Sequence, residues 1–278
     1  VPQMRRDAPR SMLRYPPSAY HPTRAFVYAK PCAAKAASTM KATIRTPFFE
    51  VGIKNYLYGD AVLRLAKAAD EAAIAFDIDV LFIAPYTEIR RVAENTRRLI
   101  VLAPYMDTLR PGRGMADVLP EAIAAAGARG VVLNHCERPM TLTAIQKTIE
   151  RANELDLLTF ACADTVAEAR AIAKFSPDII NPEPAALIGS GQTSDMGYVR
   201  QMIAAIKAVD GRILVEQAAG ITSGQQVYEL ILAGAEATGA ASGVCTAPDP
   251  AWAVRDMIAS VRKAWNEVNK RQKAGGIT

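Results

Sequence analysis

Three charged groups in this sequence stand where a short apolar run ends: Lys54 after residues 48–53, His135 with Glu137 and Arg138 after 130–134, and Glu183 after 179–181. A carboxylate within hydrogen-bond reach of a substrate can abstract a proton next to a carbonyl. A donor opposite it can stabilise the oxyanion that develops. Glu183 and His135 are the residue types for those two tasks, and the spacing suggests no metal. His135 is the only histidine beyond residue 39, the other being His21. Pro182 and Pro184 flank Glu183 and restrict its backbone, which fixes where the carboxylate points. Lys54 supplies positive charge or, if desolvated, a nucleophilic amine.

Three glycine-bearing segments accompany these groups. Glu183 is followed by an apolar stretch that ends in Gly189, Ser190 and Gly191, a sequence able to close over a ligand because glycine tolerates large backbone changes. Gly220, Ile221 and Thr222 follow the seventh apolar run, and Ser242 and Gly243 the eighth. Small residues at these places offer unobstructed N–H groups to an anion.

The elements that must position all of this repeat along the chain. Short apolar runs at 48–53, 80–84, 99–103, 130–134, 157–162, 179–181, 213–217 and 238–242 read as strands. Amphipathic stretches at 60–76, 141–154, 165–175, 198–209, 223–233 and 251–268 read as helices between or after them. A parallel strand is regained only through a crossover, and the intervals suit one. Eight such units predict an α/β fold, a (β/α)8 TIM barrel that occupies residues 40–278 as one catalytic domain. An open doubly wound sheet is the competitor, but the first strand-to-helix turn, Gly52-Ile53-Lys54-Asn55-Tyr56, has no glycine fingerprint. In a barrel, chemistry sits at the C-terminal strand ends, where the charged groups fall.

Composition narrows the classes of function further. The 278 residues carry a formal charge of +5, which would suit nucleic acid if it were spread over the fold. It is not spread. Arg5, Arg6, Arg10, Arg14, Arg24, Lys30 and Lys35 face Asp7 alone in residues 1–39, so this segment holds the excess and the rest is nearly neutral. The segment is also proline-rich and lacks periodicity. It is read as a disordered basic extension upstream of a start at Met40, with a transit sequence or a nucleic-acid arm as alternatives. No apolar run is long enough to span a membrane. Cys32, Cys136, Cys162 and Cys245 form no CxxC pair, against zinc-ribbon and thioredoxin-type readings and for a reducing compartment. The sequence therefore predicts a cytoplasmic protein with a small phosphorylated substrate and neither nucleic acid nor membrane as partner.

The segment 135–138 and the run from Glu183 to Gly191 together resemble the histidine segment, catalytic glutamate and mobile loop of triosephosphate isomerases. The shorter archaeal-type members are the nearest match, through Leu133-Asn134-His135, Cys162-Ala163-Asp164 and Ala219-Gly220-Ile221-Thr222. The resemblance covers roughly residues 48–262. It implies an aldose–ketose isomerase of glycolysis and gluconeogenesis that needs no cofactor and forms a homodimer or homotetramer. By the same resemblance Glu183 is the base, His135 the neutral electrophile, Lys54 the positive charge on the substrate and Glu137 a supporting group. The pairing of a glutamate with a neutral imidazole is known for this family and comes with it. Gly189, Ser190, Gly191, Gly220, Ile221, Thr222, Ser242 and Gly243 would hold the phosphate through the main chain.

The sequence departs from the family in three places. Gly52 stands where an asparagine normally precedes the lysine by two positions. Gln217-Ala218-Ala219-Gly220 carries alanines where glycines are common, and Cys136 replaces a common serine. These differences keep two alternatives in view: an isomerase of another small sugar phosphate such as a tetrulose phosphate, and a lyase that forms a Schiff base on Lys54.

Overall fold

The computed structural model describes residues 40–275. The expected extension over 1–39, Cys32 within it and the last three residues lie outside that range. Eight parallel strands close into a barrel in sequence order: β1 (Phe48–Gly52), β2 (Val80–Ile83), β3 (Leu99–Ala103), β4 (Gly130–Leu133), β5 (Leu158–Ala163), β6 (Ile179–Pro182), β7 (Leu214–Gln217) and β8 (Ala237–Ala240). All eight predicted runs are strands, with ends moved by a residue or two. Closure is direct, since Glu50 on β1 is registered with Leu81 on β2 on one side and with Gly239 on β8 on the other.

Alternation along the strands sorts side chains into two apolar clusters. Phe48, Leu81, Leu102, Val132, Phe160, Ile179 and Ala237 fill the barrel interior. Phe49, Val51, Phe82, Leu133 and Val215 face outward, where they pack with buried residues of the surrounding helices. These helices are α1 (Asp60–Phe76), α2 (Ile89–Asn95), α3 (Pro120–Ala125), α4 (Leu142–Asn153), α5 (Val166–Ala173), α6 (Met196–Lys207), α7 (Gly224–Leu232), α8 (Ser242–Cys245) and α9 (Pro250–Gly275). Among the described residues, no helix is long and apolar enough to cross a membrane.

Caps set several helix starts on the face that carries the candidate site. Thr141 and Thr165 accept N–H bonds from Ala144 and Glu168, both at 3.2 Å. Asp195 accepts from Gly197 at 2.7 Å and Tyr198 at 3.2 Å, so α6 begins two residues before its predicted start. Ser223 and Gln226 form a reciprocal capping box at α7. The sequence pattern does not mark helices α2, α3 and α8. At seven, six and four residues they are too short to display helical periodicity, and Ser242, expected to end the eighth strand, opens α8 instead.

Candidate active site

The C-terminal strand ends surround a cavity of about 360 Å³ lined by Lys54, His135, Glu137, Arg138 and Glu183, among others. Each catalytic candidate is held by its element. Glu183 continues β6, with its N–H donated to the Ala163 carbonyl at 2.8 Å, and the flanking prolines limit it further. Lys54 closes the turn after β1 in the left-handed region, with φ 48°. A non-glycine residue there costs about 1 kcal/mol, and the turn aims its side chain back over the cavity.

His135 owes its place to the residue before it. Asn134 is also left-handed, with φ 56°, and its side chain is buried. Asn134 Oδ1 accepts the Met140 N–H at 2.8 Å, while Nδ2 donates to the Cys162 carbonyl at 3.0 Å and to Glu168 Oε1 at 2.8 Å. The other Glu168 oxygen accepts the Asp164 N–H at 2.8 Å, and Asp164 Oδ1 accepts the Ala185 N–H at 2.7 Å. One hydrogen-bonded chain thus ties the histidine turn to the first residues after Glu183.

The polar atoms face one another. His135 Nε2 lies 3.5 Å from Glu183 Oε2, and Lys54 Nζ lies 3.2 Å from Glu137 Oε1. His135 Nδ1 accepts the Glu137 backbone N–H at 3.1 Å, which leaves the ring proton on Nε2, turned toward Glu183. Burial, aided by the Lys54 charge, lowers the His135 pKa and favours the neutral ring. Burial raises the Glu183 carboxyl, Lys54 opposing and Glu137 adding to it. For Lys54, burial works downward but the carboxylates of Glu183 and Glu137 outweigh it, so its pKa is raised. A lysine held in its ammonium form is a charge donor and a poor nucleophile, which weighs against the Schiff-base alternative.

Comparison with known proteins identifies the family. The triosephosphate isomerase family model matches residues 47–229. Triosephosphate isomerase of Methanoculleus marisnigri is 35% identical over 219 residues, covering 77% of this chain and 98% of that protein. That of Methanopyrus kandleri is 34% identical over 224 residues (78% and 99%), and that of Methanobacterium bryantii 31% over 221 (78% and 97%).

The chain belongs to the triosephosphate isomerase family.

As a member of the triosephosphate isomerase family it places the glycine segments at the rim of the cavity, where Ala218 and Ala241 form part of the lining. The segments pack on one another. A Cβ on Gly220, whose φ is +70°, would fall 2.0 Å from the Gln192 carbonyl oxygen, and one on Gly243 would fall 2.2 Å from that of Ile221. Gln226 Nε2 donates to the Gly191 carbonyl at 3.4 Å. Gly189, Ser190, Gly191, Gly220, Ile221, Thr222, Ser242 and Gly243 are therefore gathered at one side of the mouth but do not line the cavity itself. The Thr222 N–H is already donated to Gln226 Oε1 at 2.8 Å, which removes it as an anion donor in this arrangement.

The wall away from this rim includes Tyr86 and Tyr105, which sequence reasoning passed over. The Arg138 guanidinium stacks 3.9 Å from the Tyr105 ring centre, and the Tyr86 hydroxyl donates to the Tyr105 carbonyl at 3.2 Å. The family departure at Gly52 also has a physical counterpart. A Cβ there would lie 2.8 Å from Glu50 Oε1, so the Glu50 carboxyl occupies space that an asparagine at 52 would need. Glu50 lines the cavity but was not singled out from the sequence. Its signal, a charged residue inside an otherwise apolar run, does not say which face of the strand it occupies.

Proposed function

We infer that this protein is a triosephosphate isomerase that interconverts dihydroxyacetone phosphate and glyceraldehyde 3-phosphate. The observation that carries the reading is the 3.5 Å approach of Glu183 Oε2 to His135 Nε2 beside the Lys54 ammonium in one cavity. Glu183 takes a proton from the hydroxymethyl carbon, and the electron pair moves through the enediolate onto the former carbonyl oxygen. His135 Nε2–H donates to that oxygen as charge develops, while Lys54 offsets the negative charge. Glu183 returns the proton to the neighbouring carbon, and a hydroxyl proton passes between the two oxygens through the imidazole. Glu137 acts on both groups: its carboxylate pairs with the Lys54 ammonium and its N–H fixes the tautomer of the neutral His135 ring.

The glycine rim is the reading for the phosphate grip, with main-chain N–H groups of Gly189 to Gly191, Gly220, Ile221, Ser242 and Gly243 as donors once the loop after β6 closes, a movement that must also release the Ser190 N–H from the Leu187 carbonyl, 3.1 Å away in this arrangement. Closure would keep water from an enediolate that could otherwise eliminate phosphate. A homodimer or homotetramer fits the exposure of Tyr58 and Met115, large apolar side chains on loops. Cytoplasmic location fits the family's place in glycolysis. Residues 40–278 serve as the catalytic domain in this reading. A coupled assay with dihydroxyacetone phosphate tests the function: turnover abolished by Glu183→Gln supports it, and the absence of turnover in the unaltered protein refutes it.

A further inference from the structure

The isomerase reading uses charged groups at the cavity mouth and leaves two carboxyls beneath them without a task. Glu50 on β1 and Glu216 on β7 occupy interior positions that barrels of this kind ordinarily fill with branched apolar side chains. Glu50 is 6% exposed and Glu216 is fully buried. Among the described residues, neither Glu216 oxygen has a hydrogen-bond partner, and nor does Glu50 Oε1. Leaving a buried polar group unpaired costs about 1–3 kcal/mol even when it is neutral. The fold alone gives no reason to keep either one.

Two glycines make the room. A Cβ on Gly239 would lie 2.3 Å from Glu50 Oε2 and 2.4 Å from Glu216 Oε1, so the carboxyls converge over this residue. The Glu50 carboxyl also rises into the space beside Gly52 and reaches the cavity that holds Lys54, His135 and Glu183. Asn181 lines the same cavity, is buried, and its Oδ1 has no partner among the described residues. Burial pushes both carboxyls well above the ordinary range; Glu183 adds to the shift at Glu50 while Lys54 opposes it, and Glu50 adds to the shift at Glu216. In its neutral form, the one that burial favours, a carboxyl both donates and accepts. Such a floor matches an uncharged hydroxyl better than a cation or a second phosphate.

We propose that Glu50, backed by Glu216 and joined by Asn181, forms a hydroxyl-binding subsite at the closed end of the cavity, which admits ketose phosphates one hydroxymethyl group longer than a triose phosphate. The inference rests on the isomerase reading, in which the phosphate sits at the glycine rim and the reacting carbons between Glu183 and His135. A three-carbon chain ends at that pair, whereas a fourth carbon carries its hydroxyl to the floor. Adding that group to the reacting carbon of dihydroxyacetone phosphate gives erythrulose 1-phosphate. The same proton movements then apply: the C3 proton leaves to Glu183 and returns at C2, a hydroxyl proton passes from O3 to O2, and the product is erythrulose 4-phosphate.

Two measurements on the full chain test this. The first compares kcat/KM for erythrulose 1-phosphate and dihydroxyacetone phosphate in the unaltered protein and in Glu50→Leu. The tetrulose-to-triose ratio falls at least about tenfold in the variant, the worth of one lost hydrogen bond. Turnover of the triose phosphate without the tetrulose phosphate overturns the subsite and leaves the isomerase reading intact. The second is calorimetric binding of erythritol 4-phosphate and glycerol 3-phosphate to the unaltered protein, which needs neither turnover nor a folded variant. A preference of about tenfold or more for the longer polyol supports the subsite, and equal affinities overturn it.

Discussion

Replacing Asn134 tests how the histidine turn is held, and the structure sets the size of the effect. Asn134→Ala removes three hydrogen bonds and strands the Met140 N–H and the Cys162 carbonyl. Each lost bond is worth about 1 kcal/mol net, and more where its partner stays buried. Alanine must also adopt the left-handed backbone at φ 56°, at about 1 kcal/mol. The total is a loss of about 4 kcal/mol. Asn134→Gly forfeits the same bonds without the backbone strain, so it should recover about 1 kcal/mol relative to alanine. Urea unfolding at one fixed protein concentration measures both, since association would otherwise shift the midpoints. His135 follows directly, and a displacement of about 1 Å costs on the order of 100-fold in turnover, so kcat should fall with stability. An alanine variant within 1 kcal/mol of the parent, or one no less stable than the glycine variant, would refute the anchoring role.

Four further outcomes follow from the site. Glu183→Asp withdraws the base by one methylene and should lower kcat by about 100-fold or more with the fold intact, as judged by circular dichroism; near-parental turnover would contradict the assignment. The acid limb of kcat/KM should lie above the ordinary glutamate range, because burial raises Glu183 and activity is lost as pH falls through its pKa. Glu137→Gln removes a like charge that adds to this shift, so the limb should move to lower pH, and an unmoved limb would count against the coupling. Gly220→Ala drives a Cβ into the Gln192 backbone and should raise KM for the phosphorylated substrate at least about tenfold, as one hydrogen bond to the phosphate is lost; an unchanged KM would remove the rim from the phosphate grip.

Much of the barrel is legible in the sequence because its strands are short, mostly apolar runs separated by intervals that suit a crossover. Lys54, His135 and Glu183 are legible for a related reason, as chemically active groups at the ends of those runs. Glu50 and Glu216 were not. Every residue of β1 is buried, so hydropathy alone does not separate its inner face from its outer one. The inward parity of Glu50 with Phe48 becomes visible only once the barrel closes. The chain from Asn134 through Glu168 and Asp164 to Ala185 joins parts of three strand-end loops and has no signature in spacing. Resemblance to the family named the phosphate segments, while the structure showed that they pack on one another at the rim.

The central claim is that Glu183 moves a carbon-bound proton through an enediolate. Isomerisation of dihydroxyacetone phosphate in deuterium oxide, followed by proton NMR, tests it most directly. Solvent deuterium should enter at C2 of glyceraldehyde 3-phosphate and at the hydroxymethyl carbon of recovered dihydroxyacetone phosphate, and Glu183→Gln should abolish both exchange and isomerisation. Exchange that persists in Glu183→Gln at the parental rate would contradict the account.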